Sequence, residues 1–261
     1  MAKPAYEQYT EEVHHELGKL GTWLPSARVR LGDVGVMQGR EFERNSTLAD
    51  LDVAFMPAAD DISSTFGFVS DGAVEVIASA KAEAGVFGGT GTATGISAQM
   101  SFTRANAVFF RVEGAVVHRI DDLDAVKEAV LALDSRGKWR REWLVVTQVV
   151  VAQRCLVMVS GSEGARAEVA VRVGVLPSAA EIASGGAQVA GGIRQGMAFD
   201  DDIVGECTPL YQAFRVARGV VRQSRPQRVG PEGRLLPGAD AGEDYTDFVP
   251  YAYDDGGGSE S

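Results

Sequence analysis

The sequence predicts an α+β protein in which two long β-hairpins and a few flanking helices share one core. Three observations carry this reading. Residues 74–84 and 98–103 alternate apolar and polar side chains around a Gly/Thr-rich centre. Period two is the strand period, because successive Cβ atoms point to opposite faces. Residues 144–160, L-V-V-T-Q-V-V-V-A-Q-R-C-L-V-M-V-S, are apolar on both faces and run far past the usual five or six residues of a strand. Two other segments step by three and four, as helices do: Tyr6, Tyr9, Val13, Leu17 and Leu20, then Leu123, Val126, Val130 and Leu133.

Composition narrows the class. A chain of 261 residues buries one core, or one core plus a small appendage. A 45% hydrophobic and 23% charged composition is that of a globular protein. No run of about 18 apolar residues exists, so no transmembrane helix is expected. Met1–Thr10 lacks a basic segment followed by an apolar run, so no secretory signal is expected. Cys155 and Cys207 sit in apolar strand-like contexts and read as small buried hydrophobes. The expectation from these features is the cytosol. The net charge of −11 is uneven, because residues 229–261 hold eight acids against Arg234 alone. Just before them runs a basic stretch, Arg215, Arg218, Arg222, Arg225 and Arg228. Such a pairing suits a tail that masks a cationic surface; the alternative is a solvated tail without a role. The chain therefore divides into a body, 1–220, and a Pro/Gly-rich acidic tail, 221–261.

Taken in order, residues 5–20 form the first amphipathic helix, ended by Gly18 or Gly21. His14 and His15 are adjacent, so they cannot share a helix face as metal ligands. Trp23-Leu24-Pro25 is extended, and residues 29–36 read as a strand with a glycine irregularity. Residues 42–52 read as a second short strand and a helical turn capped by Ser46 or Thr47. Gly32, Gly35 and Gly39 lack the Lys-Ser/Thr pair and following helix of a phosphate loop. Residues 57–72, with Pro57, Asp60, Asp61, Asp71 and Gly72, read as loop. The first hairpin puts Val74, Val76, Ala78, Ala80, Ala82 and Ala84 on one face and Glu75, Ser79, Lys81 and Glu83 on the other, with only Ile77 out of place. Its tip is Gly85–Gly95, and its second arm carries Ala98, Met100 and Phe102 against Gln99, Ser101 and Thr103, running on through 107–112. Alanine makes a thin stripe for a core strand.

Residues 116–120 are a short strand. Asp121, Asp122 and Asp124 favour a helix N-terminus, and Ser135-Arg136-Gly137 ends that helix. In the next segment Arg136, Lys138, Arg140 and Arg141 interleave with Trp139 and Trp143. That combination suits an anionic membrane surface or a nucleic acid; the alternative is a structural loop pinned to the core by its tryptophans. Gly161–Gly164 then turns the long strand 144–160, and Ala167–Val173 returns as the second arm of a second hairpin. Residues 184–196 are Gly-rich. Thr208–Val216 reads as a last strand, and the segment after Arg218 as mostly irregular.

Catalytic motifs are missing. No G-x-S-x-G, HExxH or CxxC occurs, and His14, His15 and His118 have no metal-ligand spacing. Asp200-Asp201-Asp202 reads as a solvated turn. The expectation is a protein that is not an enzyme and uses no cofactor or metal.

The order of elements and several segments resemble the pore-forming domain of gasdermins, above all the short bacterial ones. They are F-E-R-N-S-T-L-A-D-L at 42–51, S-F-T-R-A-N-A-V-F-F-R-V at 101–112, I-D-D-L-D-A-V at 120–126, V-V-T-Q-V at 145–149 and T-P-L-Y-Q-A-F-R-V at 208–216. The resemblance covers roughly residues 5–220. It implies a twisted, mostly antiparallel central sheet whose regions 74–112 and 144–205 extend into an oligomeric β-barrel pore that causes cell death in antiviral defence. A short C-terminal peptide, here the tail after about Arg218, would hold the protein inactive until a protease removes it; Arg222, Arg225, Arg228 and Arg234 are candidate cleavage positions. The implied partners are anionic membrane lipid, further copies of the chain and the activating protease, with no nucleic acid. The implied location is the cytoplasm and, on activation, the cell inner membrane. Bacterial relatives often carry a lipid-modified cysteine near the N-terminus, and this sequence has none before Cys155.

In such a pore Val74, Val76, Ala78, Ala80, Met100 and Phe102 would face lipid. For 144–160 two registers are open. The one with Val149, Val151 and Val157 outward carries Gln153 as its single misfit, whereas the other carries both Gln148 and Arg154. Lys138, Trp139, Arg140, Arg141 and Trp143 would meet lipid headgroups. The alternative reading is a non-lytic α+β module that binds protein or lipid without catalytic activity.

Overall fold

The computed structural model describes residues 3–83, 95–171, 178–184, 189–190, 194–220 and 245–253. It is an α+β fold with a large antiparallel sheet, a smaller second sheet and few helices. In chain order the elements are α1 (Ala5–Leu17), β1 (Leu20–Gly21), β2 (Asp33–Gln38), β3 (Glu41–Thr47), a 3-10 turn (Ala49–Leu51), β4 (Pro57–Ala59), β5 (Ser64–Val69), β6 (Val74–Glu83), β7 (Gly95–Phe102) and β8 (Val108–Ile120). There follow α2 (Leu123–Ser135), β9 (Leu144–Ser160), β10 (Arg166–Val171), α3 (Ala179–Ala183), β11 (Val189–Ala190), β12 (Arg194–Gln195), β13 (Met197–Val220) and β14 (Tyr245–Pro250).

β9 is the axis of the nine-stranded sheet. Along one edge it pairs with β13 from Leu144 to Ser160. Its other edge is shared by β8, from Gln148 to Val159, and by β2 at Leu144 and Val145. β4 and β5 extend the sheet beyond β8. β1 and β14 lie on the outer edge of β13. A β-branched, apolar strand is what a position with both edges paired and both faces covered selects.

The faces are covered by four clusters. Phe109, Leu156 and Met158 pack against Met100, Phe102 and Ala167 of the second sheet and against Ile182 and Ala183 of α3. The adjacent positions Phe110, Cys155, Val157 and Val159 point the other way, to Tyr9 and Val13 of α1. At the far end Val145 meets Val126 and Val130 of α2, together with Trp139. Leu144, Val146, Val149 and Tyr211 pack under Val29 and Tyr253. α1 stops at Gly18, whose φ of +60° is the left-handed cap conformation and whose N–H reaches the His14 carbonyl at 2.9 Å.

Several expectations are corrected. Residues 57–72 are not loop, because they contain β4 and β5, both paired with β8; Phe66 and Phe68 of β5 share one face, and the Pro, Asp and Gly residues around them obscured it. β8 is one strand of 13 residues, not a short strand after a separate hairpin arm. The return arm 98–112 breaks at residues 103–107, so that β7 belongs to the second sheet and β8 to the first. The hairpin expected between 144–160 and 167–173 does not form. Both edges of β9 are taken, so β10 crosses to pair with β7, Ala167 against Met100 and Val169 against Ala98; residues 172–177 lie outside the described ones. Asp200–Asp202 is no turn either: these residues lie in β13 opposite Met158, Val157 and Leu156. Asp202 takes the Arg154 Nε–H at 2.8 Å and a second guanidinium N–H at the same distance. Its carboxylate pushes the Arg154 guanidinium further up from its ordinary value.

Cys155 and Cys207 are buried and free. Burial pushes both thiols up, Cys207 to about 11, because a thiolate would lose its hydration there. Native protein at pH 8 is expected to leave both unalkylated by iodoacetamide over an hour, with complete reaction in denaturant. Ready alkylation of the native chain would overturn this burial.

Candidate functional site

Of the two regions expected to enter the membrane, 74–112 and 144–205, only parts come together in the five-stranded sheet, 74–83, 95–102 and 166–171 among them, in the order β11-β10-β7-β6 with β12 beside β10, whereas β8 and β9 belong to the large sheet. Val74 lies opposite Phe102, Val76 opposite Met100 and Ala78 opposite Ala98. Met100 and Phe102 are fully buried, and Val74 and Val76 pack against the same cluster, while Glu75 is exposed. The alternation therefore marks a real inner face, and in this fold that face covers β8 and β9. The side chains of Ala78 and Ala80, and the hairpin tip 84–94, lie outside the described ones.

Val149, Val151 and Val157 do not share a face here. Val149 and Val151 pack toward Val29 and Leu31, and Val157 toward α1. Ala152 and Cys155 enter the same cluster although three positions apart, as do Val112 and Ala115 on β8. Strict alternation forbids this. The change of face occurs at Gly114, whose φ is +64°, against the Gln153 side chain. The β13 ladder is also irregular there, between Val204 and Cys207.

The cationic loop divides by residue. Lys138, Arg140 and Arg141 are exposed, whereas Trp139 is buried among Val126, Val130 and Phe248. Trp139 meets Trp143 edge-on at 5.3 Å, and the Arg140 guanidinium lies 5.3 Å from the centre of the Trp143 ring. Both indole N–H groups are buried without a hydrogen-bond partner among the described residues. The tryptophans thus pin the loop to the core, Trp139 buried and Trp143 partly so, while the three cations stand out from it. Lys138→Glu, Arg140→Glu and Arg141→Glu together are expected to weaken binding to anionic vesicles by about 100-fold or more, since each cation near such a surface contributes about 1 kcal/mol. Flotation with phosphatidylserine vesicles measures it; unchanged binding would leave the loop a purely structural element.

Within the C-terminal segment, read from the sequence as mostly irregular, residues 245–253 hold one strand, β14, while 221–244 and 254–261 lie outside the described residues. β14 returns along β13, Phe214 opposite Pro250, Val216 opposite Phe248 and Ala217 opposite Asp247. Phe248 stacks on Phe214 at 5.1 Å and joins the α2 cluster, while Tyr253 joins the cluster under β2 and β3. Lys127 of α2 pairs with Asp247 at 2.7 Å. The Arg40 guanidinium sits 4.5 Å from the centre of the Tyr253 ring, and His14 meets that ring edge-on at 5.5 Å. A signal was present in the sequence: all four aromatics after residue 220 fall within Tyr245–Tyr253. The candidate cleavage positions Arg222, Arg225, Arg228 and Arg234 lie outside the described residues.

Among the described residues no group of three or more His, Cys, Asp or Glu could hold a metal ion, and no helix is long and apolar enough to cross a membrane, which leaves strands untested. The site features therefore define an α+β protein with a small second sheet laid on its core, a cationic rim and a C-terminal strap. No protein-family model matches the chain, and no curated protein matches it.

Proposed function

We propose that this chain is a membrane pore-forming protein of the gasdermin kind, held inactive by its C-terminal segment and released by proteolysis within 221–244. The supporting observation is the second sheet. It gathers the alanine-rich arm 74–83, the arm 95–102 and β10 into a layer whose described inner face is Val74, Val76, Met100, Phe102 and Ala167. Such a layer is easier to lift than a strand buried on both edges, and strands of 9–11 residues suffice to cross a bilayer as a closed barrel. Lys138, Arg140 and Arg141 would bring the chain to anionic lipid, and copies of the chain would close the barrel. The protein would rest in the cytoplasm and act at the cell inner membrane.

The test is dye release from vesicles containing phosphatidylserine or cardiolipin. The intact chain is expected to release none. The chain cleaved within 221–244 and stripped of its C-terminal fragment is expected to release nearly all. Equal inertness of both forms would sink the proposal. It would also favour a second reading, a non-lytic binding module. A cavity of about 320 Å³ speaks for that reading, lined by Val149, Val151 and Phe55 together with Arg28, Arg30 and His118.

A further inference from the structure

The outer edge of β13 is a row of backbone N–H and C=O groups beside two apolar sockets. We propose that this edge is a peptide-binding site, that Tyr245–Tyr253 is its resident ligand, and that cutting the connecting chain leaves the ligand seated. The inference deepens the proteolytic release proposed above. It is tested without a membrane, so its outcome and the leakage outcome are separable.

The geometry is that of strand addition, in which main-chain pairing supplies affinity and side-chain pockets supply specificity. Pairing runs from Phe214 opposite Pro250 to Val220 opposite Tyr245, and is prolonged by the Tyr251 N–H donating to the Ala213 carbonyl at 2.8 Å. Phe248 and Tyr253 are each more than nine-tenths buried, and they enter two different core clusters. Nothing in this set of contacts depends on the chain being continuous through 221–244. The ligand the site takes is an extended peptide with an acid for Lys127, an aromatic residue directly after it, and a second aromatic five positions further on. Asp247, Phe248 and Tyr253 fill those places.

Cutting does change one quantity. While joined by 24 residues, the segment has an effective concentration on the order of millimolar. Once cut, its occupancy depends on its own Kd and on the protein concentration. Proteolysis thus converts a permanent strap into a ligand that leaves on dilution or by competition. The vacated edge is then open to a strand of a second copy, because an uncovered edge is a template for pairing.

The experiment uses the full chain with a specific protease site inserted within 221–244. After complete cleavage at about 10 μM, the C-terminal fragment is expected to co-elute with the body in a 1:1 complex on gel filtration, and to appear as that complex in native mass spectrometry. A fluorescent peptide of residues 245–253 in excess should exchange into the complex. The same peptide carrying Phe248→Ala and Tyr253→Ala should compete at least about 100-fold more weakly, as the loss of two buried aromatic side chains requires. Separation of the fragment from the body at that concentration overturns the proposal, whether the body stays in solution or precipitates. Equal competition by the two peptides overturns it as well.

Discussion

Ala80→Asp is expected to abolish vesicle leakage by the cleaved chain, and Ser79→Asp to leave it intact. In the fold described here β6 pairs with β7 so that Val74 and Val76 share the inner face with Met100 and Phe102. The ladder shifts between Ala78 and Ala82, where Ala78 lies opposite Ala98 and Ala82 opposite Ile96. Four residues on one strand thus span two on the other. Both numbers are even, so the shift keeps the faces in phase, and Ala80 stays with Val76 once the strand is drawn straight. A charge on the lipid face of a barrel strand costs about 2–4 kcal/mol near the midplane. Every copy in an oligomer carries it, so the penalty multiplies with the number of subunits. In the alternation of the sequence Ser79 falls with Glu75 on the opposite face, where an acid in the pore would meet water. Val151→Asp is a poorer probe than the sequence implied. Val151 packs against the cluster that holds Val29 and Tyr211, so its loss would disturb the starting fold as well as the pore. Circular dichroism of both β6 variants controls for folding. If they leak alike, the alternation of residues 74–83 has no membrane meaning, and the binding-module reading gains.

What was legible in the sequence was local. The helices 5–17 and 123–135 declared themselves by their three-and-four spacing, and β6, β7 and β9 by alternation or by a long β-branched run. The partners of those strands were not legible. Nothing local to Ala167–Val171 says that its neighbour is β7 rather than β9. That follows from β8 and β13 having already occupied both edges of β9, and both of those are distant in sequence. Pro57, Asp60, Asp61, Asp71 and Gly72 hid β4 and β5, and Gly114 with Gln153 hid the change of face that separates Val151 from Val157. The C-terminal strap was hidden by its acidic, Gly/Pro-rich surroundings. Averaged composition diluted Phe248 and Tyr253, although the clustering of every tail aromatic in nine residues was there to be read. Of the candidate site, Lys138, Arg140 and Arg141 are exposed as expected. Trp139 went to the core because a helix end at Arg136 leaves the next turn directly over α2's apolar face.

Gly67→Ala is expected to lower stability by about 3 kcal/mol or more, one of the largest effects of any single methyl group in the molecule. Gly67 lies on β5 opposite Arg111 of β8. A Cβ there would sit 2.6 Å from the Ala183 carbonyl oxygen and would overlap the Phe110 carbonyl oxygen. Both are backbone atoms and cannot rotate away, so β5 must shift against β8, and α3 must lift as well. α3 is not free to move without loss. Its Ile182 and Ala183 are buried in the cluster under the second sheet. The Ile182 carbonyl accepts from the Arg111 guanidinium, itself buried and donating through Nε to Glu113 at 2.7 Å. Lifting α3 removes one acceptor from a buried guanidinium, a loss of about 1–3 kcal/mol or more for a charged group, and uncovers Ile182 besides. Shifting β5 would also disturb Phe68, which packs on Phe110 at 5.5 Å. For a domain of this size about 3 kcal/mol corresponds to a fall in Tm of roughly 6–12 °C. Gly72→Ala separates steric overlap from backbone preference. Gly72 has a φ of +59° with open space around its missing Cβ, so alanine there should cost only about 1 kcal/mol through the left-handed conformation. Thermal melts of the two variants beside the unaltered chain decide the matter. Equal shifts would mean that the Phe110 and Ala183 carbonyls do not close on Gly67 as described.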